Sequence, residues 1–350
     1  MRPQIILSFL AIACGIAQAA DTRADFLKLI DRPQVPLSSQ VLPWVAGGAG
    51  VEKTSFSYMS EAGQRVTGLM FRKKPEVGGA AGRRPAVIAM HATGEGKESM
   101  ANLLRDLAAK GFIGVAIDAR YHGERAPGAD GEDVYIGAIL RAWRARGAGE
   151  PGEHPLFYDT AWDIMRLVDF LETRPEVDAR RIGAIGFSKG GMEAFYAAAA
   201  DPRIAVVVPC LAVRSFAWEM EHDMWQALAK SLAGAVQGAA REAGQERVTP
   251  DFLKSFFDRV APGIYGEFDG PAMTPLVAPR PMLLINGEND ALTPIAGYMQ
   301  AVHAAQRAYG AQDAEDRFVY EIEDNTGHMV TPKALNMGVD WLVRWLKPQS

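Results

Sequence analysis

Gly186-Phe187-Ser188-Lys189-Gly190-Gly191 stands where one pattern stops and another begins. Before it, Arg181 to Phe187 reads as a short buried strand. After it, Gly190 to Ala200 reads as an alanine-rich helix. G-x-S-x-G is a weak pattern by itself and a strong one at a strand-to-helix turn. Such a turn is sharp and lifts the serine Oγ to the edge of the sheet. Glycines two places either side remove side chains that would collide in it. The following N–H, that of Lys189, opens the helix and can bind an oxyanion. The plainer reading is an ordinary serine N-cap.

Outward from this point, short apolar runs alternate with helical patterns. Strands are expected at Ala86 to Met90, Gly114 to Asp118, Ile204 to Pro209, Pro281 to Ile285 and Arg317 to Ile322. Between them, Ser99 to Lys110 carries Leu103, Leu104 and Leu107 on one face. Ile164, Leu167, Val168 and Leu171 mark another helix, ended by Pro175. A last helix starts at Thr331-Pro332, with Leu335, Val339, Leu342 and Leu346 as its stripe. Phe56 to Phe71 reads as a hairpin turning at residues 61–64. This alternation predicts an α/β fold: a mostly parallel central sheet flanked by helices. Residues 121–158 and 211–279 break it. The first is expected as a long connection, the second as a partly helical cap insertion over the carboxyl edge of the sheet.

The chain resembles the α/β-hydrolases, nearest their dienelactone hydrolase and acetyl-xylan-esterase-like branches. Four motifs carry the likeness. They are His91-Ala92-Thr93-Gly94, Asp118-Ala119-Arg120-Tyr121-His122-Gly123, Gly186 to Gly191, and Gly287-Glu288-Asn289-Asp290 with the later Gly327-His328. The resemblance implies a nucleophile, acid and base in the order Ser, Asp or Glu, His, which this sequence keeps. It also implies that the His91 loop supplies a second oxyanion donor, the N–H of Thr93 or Ala92. Ala92 stands where the family usually has glycine. Asp118, Arg120 and His122 are implied to brace their loop.

A serine needs a base, and a neutral histidine serves at pH 7. His328 lies in a turn after the strand ending at Ile322, on the same sheet edge as Ser188. His91, His122, His154, His222 and His303 are read as structural. Asp290, five residues past the strand ending at Ile285, is the candidate acid that would orient His328. Glu288 is its rival and Asp324 a weaker one. Trp218 and Trp225 are the candidate substrate-binding residues of the cap, within the cluster of large apolar groups from Trp218 to Tyr265. Glu219, Glu221, His222 and Asp223 have no metal-ligand spacing and read as a solvated helix face. Cys210, at a strand end, reads as a small core residue. No metal and no organic cofactor is called for.

The 350 residues carry 37 basic and 42 acidic side chains, a net charge of −5, which argues against a nucleic-acid partner. Two cysteines cannot form a disulfide scaffold or a four-cysteine zinc site. Arg2, the apolar run Ile5 to Ala17 and Ala17-Gln18-Ala19 have the form of a signal peptide over residues 1–19, too short to span a membrane. A lipoprotein anchored through Cys14 is the alternative. Residues 20–50 are expected as an N-terminal lead-in, loose and proline-containing over 31–50, and 51–350 as the hydrolase domain. The resulting expectation is an exported serine hydrolase, secreted or periplasmic, that cleaves small-molecule esters through an acyl-enzyme. A peptidase of the prolyl-oligopeptidase type and a non-catalytic binding protein on the same fold remain open. The sequence carries no reading of oligomeric state.

Overall fold

The computed structural model describes residues 19–347 except 20, 49, 76–81, 127–130 and 151. Of the expected signal, residues 1–18 lie outside the described residues, Cys14 among them. Ahead of the proline-containing stretch of the lead-in, residues 21–30 form a helix, α1, which is not among the elements expected from the sequence. Phe26 and Ile30, one turn apart, are fully buried, and Phe26 packs its ring against Tyr158, Tyr196 and Phe268. Short strands β1 (Gln40–Val41) and β2 (Val45–Gly48) follow. The hairpin is β3 (Val51–Glu61) and β4 (Gln64–Lys73), turning at Ala62-Gly63 with Gly63 at φ 78°.

Next come β5 (Arg84–Met90), α2 (Ala101–Ala109), β6 (Ile113–Ile117), α3 (Gly131–Gly147), α4 (Tyr158–Glu172) and β7 (Val177–Phe187). Then come α5 (Lys189–Ala200), β8 (Ile204–Cys210) and five helices: α6 (Phe216–Glu221), α7 (Trp225–Ser231), α8 (Ala233–Glu242), α9 (Pro250–Val260) and α10 (Gly270–Met273). The chain ends with β9 (Met282–Gly287), α11 (Ile295–Gly310), β10 (Phe318–Glu323) and α12 (Pro332–Leu346). Thr331 caps α12 as expected, its Oγ1 accepting from the Ala334 N–H at 3.2 Å.

The described strands form one sheet in the order β1-β3-β4-β6-β5-β7-β8-β9-β10, with β2 beside β3. From β6 to β10 every pairing is parallel. Alternate residues of β5 divide between two cores. Ala86, Ile88 and Met90 join the one covered by α4, α5 and α11, and Val87 and Ala89 the one covered by α2 and α12. From β5 the chain crosses to β6 on one side and returns to β7 on the other. Strand order therefore reverses at β5, and the crevice beyond the carboxyl ends of β5 and β7 is where open α/β sheets bind ligands.

Residues 121–158 are not simply a connection, since they contain α3. Its apolar residues show no single stripe because the helix is buried on two sides. Tyr135 and Ile139 join the main core, while Ile136 and Leu140 meet α8. A Cβ at Gly234 would fall 2.7 Å from Ile136 Cδ1, and one at Gly238 3.0 Å from Leu140 Cδ1. One turn on, Arg144 Nε donates to Glu242 Oε2 at 2.7 Å. The two helices thus run parallel and close, small residues on one receiving large ones from the other. In α9, Leu253, Phe256, Phe257 and Val260 are buried and supply the inner packing of the 211–279 segment.

Candidate active site

The end of β7 decides the geometry. Ser188 has φ 52° and ψ −120°, a conformation that L-residues rarely adopt. It is tied down by its N–H, which donates to Cys210 O at 2.9 Å, and by the start of α5, whose Met192 N–H donates back to Ser188 O at 3.1 Å. A Cβ at Gly186 would fall 2.2 Å from Gly190 O. One at Gly190 would fall 2.4 Å from His91 O. These glycines therefore let the turn close on itself and on the loop after β5. Lys189 is the first residue of α5, so its N–H has no acceptor within the helix. Its ammonium turns away to Glu193, 2.6 Å distant in a fully buried pair. Burial pulls the Lys189 pKa down and pushes that of Glu193 up.

His328 lies between β10 and α12, and Asp290 just beyond β9. The three side chains form one chain of hydrogen bonds. Asp290 Oδ2 lies 2.7 Å from His328 Nδ1, and His328 Nε2 lies 2.8 Å from Ser188 Oγ. An ionised carboxylate only accepts, so Nδ1 carries the proton and Nε2 is left to accept from the serine. Asp290 is 4% exposed, and its other oxygen accepts from the N–H groups of Leu292 and Thr293 at 2.8 and 2.9 Å. Its rivals are elsewhere. Exposed Glu288 accepts from the Asn325 N–H at 2.9 Å, and Asp324 is also exposed.

In the His91 loop the left-handed residue is Gly94, at φ 78°. Ala92 has no positive φ, so alanine is tolerated where the family usually has glycine. The Ala92 N–H is directed to Glu95 Oε2 at 3.3 Å. Among the described residues the Thr93 N–H has no acceptor, which leaves it the freer donor of the two. His91 is buried and holds the loop to the exit of β6: Nδ1 donates to Ala92 O at 2.8 Å, and Nε2 accepts from the Ala119 N–H at 3.1 Å. Burial, with the Lys189 charge nearby, keeps its pKa down to about 4. The same causes hold His122 at about 2, while burial and Arg146 hold His154 at about 3. Asp118 accepts from Thr67 Oγ1, Lys97 Nζ and the Lys97 N–H, and Arg120 forms a buried fork with Asp163 at 3.1 Å. The Asp118 motif therefore braces the loop.

A cleft of about 370 Å³ opens above Ser188 and His328. Ala92, Thr93, Ser188 and Lys189 line its floor, with Tyr135 of α3, Leu156, Phe157, Phe216 and Leu232 around them. Phe157 stands at φ 67°, ψ −48°, and the Tyr158 N–H donates to Leu156 O at 2.8 Å, a strained three-residue turn that projects the ring. Trp218 and Trp225 do not line the cleft. Phe216 is the inward residue of α6, and Trp218, two places on, falls on the opposite side of the helix. There it stacks on exposed His222, ring centroids 4.0 Å apart. Trp225 Nε1 donates to Asp223 Oδ1 at 2.9 Å. The acidic cluster also divides: Glu221, His222 and Asp223 are exposed, but Glu219 is fully buried. Burial pushes its pKa up to about 7. Cys210 is buried as expected. No helix among the described residues is long and apolar enough to cross a membrane.

Two family models match the chain: Acetyl xylan esterase (AXE1) over residues 31–228, and Glucuronyl esterase, fungi, over residues 154–312. Among curated proteins, YtaP of Bacillus subtilis (strain 168) is 27% identical over 185 residues, covering 53% of this chain and 52% of that protein. The 4-O-methyl-glucuronoyl methylesterase of Hypocrea jecorina (strain QM6a) is 31% identical over 159 residues, covering 44% and 33%. The chain thus spans about half or less of the length of these relatives. Among solved structures, Acetyl Xylan Esterase 1 from Thermoanaerobacterium sp. JW/SL YS485 superposes with a TM-score of 0.66 at 18% identity, covering 94% of both chains. The glucuronoyl esterase from Solibacter usitatus gives 0.60 at 15%, covering 93% of this chain and 92% of its own. At such identities these two show the shared fold.

Proposed function

Because this chain belongs to the acetyl xylan esterase (AXE1) family of α/β-hydrolases, we propose that it is a serine esterase that cleaves carboxylic esters carried on sugars, of the acetyl or glucuronoyl kind. The observation that carries this reading is the unbroken chain Asp290–His328–Ser188, ending on a strained turn at the floor of a cleft. Ser188 Oγ attacks the ester carbonyl while His328 Nε2 takes its proton. Asp290 holds the Nδ1 proton and stabilises the imidazolium. The N–H groups of Lys189 and Thr93 receive the oxyanion. The tetrahedral intermediate collapses, His328 protonates the departing alcohol, and an acyl group remains on Ser188. Water, deprotonated by the same histidine, then releases the acid.

The Lys189–Glu193 pair supports this use of the backbone. It draws the ammonium into the fold, so that Lys189 meets the substrate through its N–H. The N-terminal Arg2, the apolar run and Ala17-Gln18-Ala19 favour export before action. N-terminal sequencing of protein from the native host is expected to find Ala20 first; a lipid-modified Cys14 at the start would replace the soluble form by an anchored one.

The esterase reading is tested by treating the purified chain with a fluorophosphonate probe, then with p-nitrophenyl acetate, acetylated xylan and a methyl glucuronate ester. Labelling at Ser188 with release of acetate or methanol is the expected result. An unlabelled serine and no turnover on any ester would overturn it.

A further inference from the structure

The cleft above Ser188 is cationic in a chain whose net charge is −5. Lys189, Arg214 and Lys230 line it, and no carboxylate does so among the described residues. Lys189 is spoken for by Glu193. Arg214 is different. It is 5% exposed, and among the described residues nothing accepts a hydrogen bond from its guanidinium; Nη1 in particular is buried without a partner. The nearest counter-charge is Glu219, whose Oε1 lies 3.8 Å from Nε, beyond hydrogen-bond distance. Neither Glu219 oxygen has a partner of its own. A buried fork with a donor unspent is costly unless something comes to accept from it.

The backbone around Arg214 is fixed rather than adaptable. A Cβ at Gly270 would lie 2.1 Å from Arg214 O, so the start of α10 presses directly on that peptide. Asp269 accepts from Ser215 Oγ at 2.6 Å and from the Phe216 N–H at 2.8 Å, and the Ser215 N–H donates to Gly297 O at 3.0 Å. The guanidinium carbon itself lies 4.8 Å from the centre of the Phe216 ring, a cation–π contact. Ser188 is tied to Cys210, and Arg214 follows Cys210 by four residues, a path of about 14 Å at full extension. Arg214 and Ser188 line the same cleft of about 370 Å³, so one bound substrate can touch both.

We propose that Arg214 is a specificity residue that anchors a second, anionic group of the substrate, so that the preferred esters carry a free carboxylate close to the scissile bond. This inference rests on the ester-hydrolase reading above. A carboxylate suits a guanidinium because two parallel N–H donors meet two oxygens. A site built around such donors discriminates against the analogue that leaves them unpaired.

The test uses two matched pairs of activated esters. Mono-p-nitrophenyl glutarate against p-nitrophenyl valerate places the acid on the acyl side, with spontaneous hydrolysis subtracted. 4-Carboxyphenyl acetate against 4-acetylphenyl acetate places it on the alcohol side. The wild-type chain is expected to favour the acidic member of one pair by about 10- to 100-fold in kcat/KM, mostly through KM. Which pair responds tells on which side the acid sits. In Arg214→Gln that ratio is expected to fall to about one, and Arg214→Lys to restore part of it. Arg214→Gln/Glu219→Gln removes both buried charges and serves if the single variant does not fold. Equal or better turnover of the neutral member in both pairs, or an unchanged ratio in Arg214→Gln, would overturn the proposal while leaving the esterase standing. No turnover of any ester and no fluorophosphonate labelling would remove both.

Discussion

At Ser188 a strained backbone, a hydrogen bond to the base His328 and the N–H of the next residue, Lys189, unbonded within its helix, meet at one turn, and the side chains can be removed separately. Ser188→Ala and His328→Ala are each expected to lower kcat by several orders of magnitude with KM little changed. The double variant should be barely worse, because the members act as a unit. Asp290→Asn should cost somewhat less, and Glu288→Gln should be near wild type, since among the described residues the Glu288 side chain accepts only from the Asn325 N–H. Steady-state kinetics on an activated ester checks all four, and a crippled Glu288→Gln would displace Asp290 as the acid. These residues were legible because each follows a strand whose apolar run marks a sheet edge. Arg214 was not, since a single arginine in a connection has no pattern. Glu219 was misplaced with its exposed neighbours because a six-residue helix is too short to reveal its buried side by periodicity.

At the scale of elements, the phase of α6 sets what meets the substrate. Phe216→Ala is expected to shift the preferred acyl length in a chain-length series of p-nitrophenyl esters. Trp218→Ala is expected to leave the ranking as it is, because that ring lies on His222. A shift with Trp218→Ala and none with Phe216→Ala would reverse the assignment. The contact of α3 with α8 is a second lever. Gly234→Leu must push Ile136 aside and is expected to lower stability by about 1–3 kcal/mol. It should also raise KM, since Tyr135 and Leu232 flank the contact and line the cleft. Thermal melts and kinetics on the same variant read both. Helices with one wet face, such as α2 and α12, announced themselves by their stripes. The helix α3, buried on two faces and interrupted by arginine and glycine, did not.

For the molecule as a whole, the parallel sheet and the sheet edge that bears the site followed from strand-helix alternation, while the helix α1 and the interior of the 211–279 segment became visible only when packed. Stability should respond to acid through the buried histidines. His122 is neutral in the fold, its pKa held at about 2 by burial and the Lys189 charge. Below about pH 6.5 the unfolded chain takes up a proton there that the folded chain refuses, so stability falls as pH falls. Buried Glu219, raised to about 7, works in the opposite sense between its unfolded value and neutrality. A comparison with His122→Phe cancels that contribution and isolates the histidine. From pH 7.5 to 4.5 the wild type is expected to lose about 2–3 kcal/mol relative to the variant. Denaturant unfolding at the two pH values measures it, and a difference independent of pH would mean that His122 is not held neutral.

The parallel seating of α3 on α8 also bears on how this cleft could be inherited or rebuilt. Its walls come from two stretches of chain separated by α4, β7, α5 and β8, and each packs side chains against the other. Transplanting residues 211–279 alone onto a related scaffold would leave Ile136 and Leu140 facing whatever replaced Gly234 and Gly238, and Arg144 without Glu242. A chimera made to exchange acyl preference is therefore expected to need both stretches to fold.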